Sequence, residues 1–299
     1  AALQVTTGPA ALITYGLVSL AALFLALALA RVATLYPEKG AFYTYAKAWG
    51  GHTWGVIAMM SYTVGLVVAL GLVARATGDM LSASFISLTP VTLSIGLVAL
   101  LVAANLAGAL IAKTGQIILM ALTYLPIAVI SILCLLKADT SNLHPFMPHG
   151  WMSIFQAVPL VIFGFFGFES IPSLFSEIKD PQRNVPKAVT LTILLVGITY
   201  MLFASAIFLG LPSALFTSGS PDQLSAALIS LYPHFTWLVS LINWAIIIAL
   251  TGVLHSMIWS LSALIVDTSS YILPAQTSLS RRQALLALGG AIITSCVIF

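Results

Sequence analysis

The sequence predicts an all-α polytopic membrane protein with one discontinuous helix near 164–168, and three observations carry that prediction. Of its 299 residues 60% are hydrophobic and only 6% charged, against about 25% charged in an ordinary soluble domain. Runs such as ALITYGLVSLAALFLALALA (11–30) and VTLSIGLVALLVAANLAGAL (91–110) hold no charge, and about 20 such residues cross the hydrocarbon as helix. Finally, the run FGFFGFES (163–170) places a carboxylate, Glu169, behind two glycines inside an apolar stretch.

Apolar runs broken by charges and turn residues give eight helices, at 9–35, 52–80, 90–112, 114–137, 151–178, 186–210, 234–266 and 283–299. Pro9 and Pro186 stand where the first and sixth begin, since a proline in the first turn loses no hydrogen bond. Arg31, Lys39, Lys47, Lys113, Lys179, Arg183, Lys187, Arg281 and Arg282 fall on alternate loops, nine of the eleven basic residues. The positive-inside bias makes those loops cytoplasmic. The first helix then starts outside. The sequence opens without methionine and stops inside an apolar stretch, so it reads as an internal portion of a longer chain. No soluble module interrupts the helices, and 1–299 reads as a single transmembrane domain.

The remaining charges and special residues are few. Arg75 and Asp79, four apart, neutralise each other across one helical turn as a border ion pair, with an outer gate as the weaker reading. The 211–233 connection, polar and holding Gly, Pro and Ser, is an outer loop with room for a short surface helix. Cys134 and Cys296 sit in separate apolar runs and suggest neither a disulfide framework nor a metal site. A net charge of +3 forms no basic stripe, which excludes nucleic acid as a partner. No cofactor is expected. The lipid bilayer is the obligatory partner, in an inner or plasma membrane, and the sequence leaves oligomeric state open, a homo-oligomer included.

The fifth helix carries the chemistry. Gly164 and Gly167 lower helix propensity, and Pro159 and Pro172 each lack a backbone donor. Four breakers within fourteen residues predict an interruption. In lipid it survives only where the freed peptide groups face protein, water or a ligand, which is how many transporters build midplane sites. Carbonyls of the outer half-helix, near Phe163 and Gly164, attract an ammonium; N–H groups of the inner half favour an anion. Glu169 either caps that inner half or titrates during transport, and desolvation of a carboxylate favours the second role. Close helix packing explains the glycines alone but not the charge beside them. Phe163, Phe165, Phe166 and Phe168 are split between packing and covering the opening.

The segment GFFGFESIPSLFSEIKDPQRNVPKAV (164–189) resembles the sixth helix and following loop of the amino acid–polyamine–organocation transporters, F-x-G-F-E followed by E-x-K-[ND]-P-x-[RK]-N-x-P-[RK]-A. Phe165, Gly167, Phe168, Glu169, Glu177, Lys179, Asp180, Pro181, Arg183, Asn184, Pro186, Lys187 and Ala188 fit at the right spacing. YPEKGAFYTYAKAWGG (36–51) is similar to the family's P-x-x-G-G-x-Y-x-Y stretch through Pro37, Gly40, Tyr43, Tyr45 and Gly50, and GPAAL (8–12) stands where the preceding helix opens. The resemblance implies the inverted-repeat fold of leucine-type transporters, with the chain covering the second to ninth of about twelve helices. It also implies uptake or exchange of amino acids or amines. The family's first helix, which supplies the carboxylate-binding break, lies outside this sequence.

Departures from the family pattern are specific. Arg31 stands where many members carry Glu, and Ala41 replaces the second glycine of the pair. Ala263 and Ser269-Ser270-Tyr271 stand near places that often hold Arg and Arg-Asp-Gly. Trp259 is two positions from the tryptophan that some guanidinium exchangers stack on substrate.

The expected site therefore comprises Phe163, Gly164, Phe165, Gly167 and Phe168 for substrate, with Glu169 and His255 for coupling or gating. At about 1.5 Å per helical residue, His255 lies about 18 Å from Asp267 and Glu169 about 12 Å from Glu177, which puts both at a similar depth. A histidine bonded to neighbouring backbone is the plainer reading of His255; a proton relay is the other. Substrate coupling is by protons or by exchange, and sodium has no support. An intramembrane enzyme would need paired aspartates, a Ser–His pair near G-x-S-G, or H-E-x-x-H, and none of these strings occurs. A channel would need a ring of polar groups, which an isolated Glu169 does not supply.

Overall fold

The computed structural model describes residues 2–84, 87–216, 222–272 and 279–298. The helices are α1 Ala2–Thr6, α2 Ala11–Leu35, α3 Ala41–Gly50, α4 His52–Ser84, α5 Pro90–Leu106, α6 Ala109–Leu136, α7 Met152–Gln156, α8 Val158–Phe163, α9 Pro181–Gly210, α10 Asp222–Leu231, α11 Trp237–Ile272 and α12 Arg281–Ile298. Among the described residues there is no strand. Seven helical stretches are long and apolar enough to cross a membrane, and Pro90–Leu106 is a shorter apolar helix.

The eight expected helices are all present, with instructive shifts. The third ends at Leu106 and the fourth starts at Ala109, because Gly108 takes φ +120° between them. The sixth starts at Pro181 and not at Pro186, which lies inside it. The family-like K-D-P-x-R-N string explains the earlier start. Asp180 adopts φ +47°, Pro181 opens the first turn, and the Asn184 side chain donates to the Lys179 carbonyl at 2.6 Å. The seventh helix runs on to Ile272, so Asp267 and Ser269 to Tyr271 are helical. A short helix in 41–50 was not expected. Part of the 211–233 loop (217–221) and the Leu273-Pro274 pair lie outside the described residues.

The chain forms two compact units. The first holds residues 1–28, 123–168 and 189–245. Here the start of α2 is tied to the 146–154 stretch: Ala10 N–H donates to the Phe146 carbonyl at 2.9 Å, and the Thr14 hydroxyl to the Ile154 carbonyl at 3.1 Å. Ala11, Ala204 and Phe208 form a small core with Leu12 and Tyr15 against it.

The second unit holds residues 29–122, 169–188 and 246–299. Its core packs Leu70 and Ala74 of α4, Val98 and Leu101 of α5, Leu254, Ile258 and Leu261 of α11, and Leu285 and Ile292 of α12. Lipid is as apolar as these side chains, so close van der Waals fit holds the helices together more than desolvation does. Gly78 shows how: a Cβ there would run into the Pro90 carbonyl and Ser94, so glycine lets α4 and α5 touch. Arg75 and Asp79 form the expected ion pair at 3.4 Å. Cys134 and Cys296 are both buried free thiols.

Candidate functional site

The expected interruption is present, and it is longer than the sequence suggested. Helix α7 stops at Gln156, Pro159 sits in the first turn of α8, and α8 stops at Phe163. The next N–H groups reach back only three residues: Gly164 to Val161 at 3.1 Å, Phe165 to Ile162 at 3.0 Å and Phe166 to Phe163 at 3.3 Å. Gly167 then takes φ +122°, a conformation that L side chains rarely adopt. The carbonyls of Val161, Ile162 and Phe163 accept these bonds.

One partner at this break was not expected. The Tyr200 hydroxyl of α9 donates to the Gly164 carbonyl at 2.7 Å. Phe165, only 4% exposed, lies edge-on against the Tyr200 ring with centroids 5.3 Å apart. Phe165 is thus packing, whereas Phe163 is 65% exposed and meets Phe166 at a ring distance of 6.2 Å. Tyr200 had no sequence signal, because only the fold brings GITY beside residue 164.

Beyond Gly167, residues Phe168–Glu177 form 3-10 and not α-helical turns, in two short pieces joined by a kink at Leu174 (φ −95°, ψ 15°). Short 3-10 pieces of this kind are the usual form of that helix. Phe168 and Glu169 open this segment, so Glu169 occupies the first turn as expected. Tyr62 of α4 lies within electrostatic reach of the Glu169 carboxylate. The Tyr62 ring rests on Phe42 at 4.1 Å.

The far end of the segment is clamped. Glu177 accepts the Trp259 indole N–H at 2.7 Å on one carboxylate oxygen, and its other oxygen pairs with Arg281. Ser176 donates to Asp267 at 3.0 Å. Trp259, which stood out of register as a substrate-stacking residue, here holds the inner arm of the broken helix to α11.

His255 is 2% exposed on α11, and its Nδ1 lies 2.9 Å from the Gln116 amide oxygen on α6. The partner is a side chain and not the neighbouring backbone.

The amino acid permease family model matches residues 1–294. The chain belongs to the amino acid permease family. Among its relatives, the branched-chain amino acid permease BcaP of Bacillus subtilis is 28% identical over 277 residues, covering 85% of this chain and 58% of that protein. Human cationic amino acid transporter 4 is 24% identical over 282 residues, covering 86% of this chain and 44% of that protein. The chain thus spans about half the length of the curated relatives it matches. A solved sodium-coupled sialic acid symporter, in a substrate-bound outward-open state, aligns with 99% of this chain and 68% of its own at TM-score 0.58 and 17% identity. That likeness shows the fold, the leucine-transporter type expected from the motifs. The permease family consists of multi-pass membrane transporters and not enzymes.

Proposed function

We propose that this permease chain carries amino acids across the membrane by alternating access, with the break at 164–167 as its substrate-binding point. The observation that supports this most is the backbone itself. Three consecutive N–H groups, those of residues 164–166, leave the i to i−4 pattern within an apolar span, and a carbonyl has two lone pairs, so those beside the break can accept from an ammonium group as well. Phe163, Gly164, Phe165, Gly167 and Phe168 form this point, with Phe165 acting through Tyr200 and not through the ligand.

Glu169 and His255 govern coupling or gating in this reading. The branched-chain and cationic relatives share the α-amino and carboxylate groups of their named substrates and differ in side chain. The backbone break therefore reads the common part, and selectivity comes from elsewhere. Coupling is by proton symport or by exchange for another amino acid or amine. Competition by a panel of amino acids and polyamines against uptake into proteoliposomes tests the proposal. Saturable, stereoselective inhibition by α-amino acids supports it; inhibition by polyamines alone, or non-saturable flux, would overturn it.

A further inference from the structure

Helices α6 and α11 meet inside the second unit in a defined register. A Cβ at Gly252 of α11 would lie 3.7 Å from the Leu119 side chain of α6, an ordinary van der Waals contact. Three residues further along α11, His255 Nδ1 lies 2.9 Å from the amide oxygen of Gln116, which stands three residues before Leu119 on α6. The two helices therefore run antiparallel here, and the polar pair lies one turn from an apolar contact. His255 is buried and Gln116 half-buried.

The chemistry of this contact is one-sided. An amide oxygen only accepts, so the hydrogen between the two groups belongs to Nδ1, and Nε2 of the neutral ring carries the lone pair. Protonation adds its hydrogen at Nε2 and leaves the Nδ1–H bond to Gln116 in place. One nitrogen thus ties the ring to α6 in both charge states, and the other is left to titrate. Of the charges on the surrounding elements, Arg75 pairs with Asp79 on α4 and Arg281 of α12 with Glu177 of the inner arm. Asp267 lies about 18 Å further along α11, and α5 carries no charge. Lys113 and Arg282 are exposed near the starts of α6 and α12. Tyr62 of α4 and Glu169 of the inner arm are within electrostatic reach of each other, and Cys296 of α12 is a buried thiol. Among the described residues none of these groups bonds to either ring nitrogen of His255.

We propose that Gln116 is the positioning residue for His255: by taking the Nδ1 hydrogen in both charge states it fixes the tautomer, and it makes Nε2 the atom at which His255 gains and releases a proton during transport. The inference rests on the coupling role given to His255 above and adds the residue and the nitrogen through which that role is exercised. Each cycle binds one proton at Nε2 and returns it, with no change at Nδ1.

Two measurements on the full-length protein separate the part played by Gln116 from the coupling role itself. Nitrogen-15 NMR of ring-labelled histidine in detergent reads the tautomer without any transport, with His255→Asn assigning its signal among the five histidines. The neutral ring should carry its hydrogen on Nδ1 in the wild type and in Gln116→Glu, and should become a mixture of both tautomers in Gln116→Leu. Amino acid uptake into proteoliposomes then reads the consequence. Gln116→Leu should move the pH profile of uptake to lower pH by about one unit, the excess of a charge-assisted hydrogen bond over a neutral one. Gln116→Glu, which keeps the acceptor and adds a negative charge, should move it to higher pH. A wild-type neutral ring with its hydrogen on Nε2 would overturn the assignment of Gln116, whatever the uptake shows. The expected tautomers with one pH profile shared by all three proteins would overturn the coupling role of His255, and the proposal with it.

Discussion

The Tyr200 hydroxyl and the Gly164 carbonyl meet at 2.7 Å, which makes a side chain of α9 the partner of the first peptide group released by the broken helix. The bond occupies one of the carbonyl's two lone pairs, and it is the kind of contact that a substrate ammonium has to share or displace.

Tyr200→Phe removes that donor and keeps the ring on Phe165. The loss of one net hydrogen bond should lower stability by about 1 kcal/mol. If the hydroxyl competes with substrate, KM for amino acid uptake should fall severalfold while maximal rate changes little. Uptake kinetics and a melting curve on the same preparation check both effects.

Gly167→Ala places a Cβ at φ +122°, with a strain of about 1–3 kcal/mol. Gly164→Ala has ordinary φ, and its Cβ meets the Tyr200 ring edge at 3.2 Å, the Tyr200 hydroxyl at 3.3 Å and the Val161 carbonyl at 3.4 Å, contacts that small shifts relieve. The Gly167 variant should therefore be the more damaging to both melting temperature and uptake, by a clear margin.

Much of this was legible in sequence, for a physical reason: long apolar runs, breakers and charges are local signals. The eight helices, the Arg75–Asp79 pair and the break behind Gly164 all rest on such signals. What escaped depends on contacts distant in sequence or on short-range geometry. Tyr200 reaches Gly164 across 36 residues, and Trp259 reaches Glu177 across 82. Pairing of His255 with Gln116 is likewise a tertiary fact. The inner arm reads as apolar helix, yet apolar periodicity does not distinguish an α from a 3-10 spiral. Helix α3 is ten residues between Gly40 and Gly51, too short to stand out beside runs of thirty.

One departure from the family pattern gains a meaning in the structure. Ala41, where the resemblance expects a second glycine, sits at φ +32° and is almost fully buried. Left-handed backbone costs an alanine about 1–2 kcal/mol, partly offset by glycine's greater unfolded-state entropy. Ala41→Gly should raise stability by up to about 1 kcal/mol, read as a higher melting temperature with uptake unchanged.

Glu177 should act as a releasable clamp on the inner arm. Its pair with Arg281 is partly exposed, with side chains 22% and 34% accessible, so screening limits it to about 1 kcal/mol or less. Glu177→Gln keeps an acceptor for the Trp259 indole but loses the ion pair. The variant should show a small drop in melting temperature that disappears at high salt, together with faster exposure of the 168–177 segment to hydrogen exchange.

The most direct test of the transport reading is the pH profile of amino acid uptake by Glu169→Gln in proteoliposomes. A carboxylate that gains and loses a proton during the cycle predicts that the variant folds and inserts normally but loses the pH dependence of the wild type, with uptake flat across the range. A variant whose uptake follows the wild-type profile at every pH would contradict the account and leave Glu169 as the cap of the inner arm.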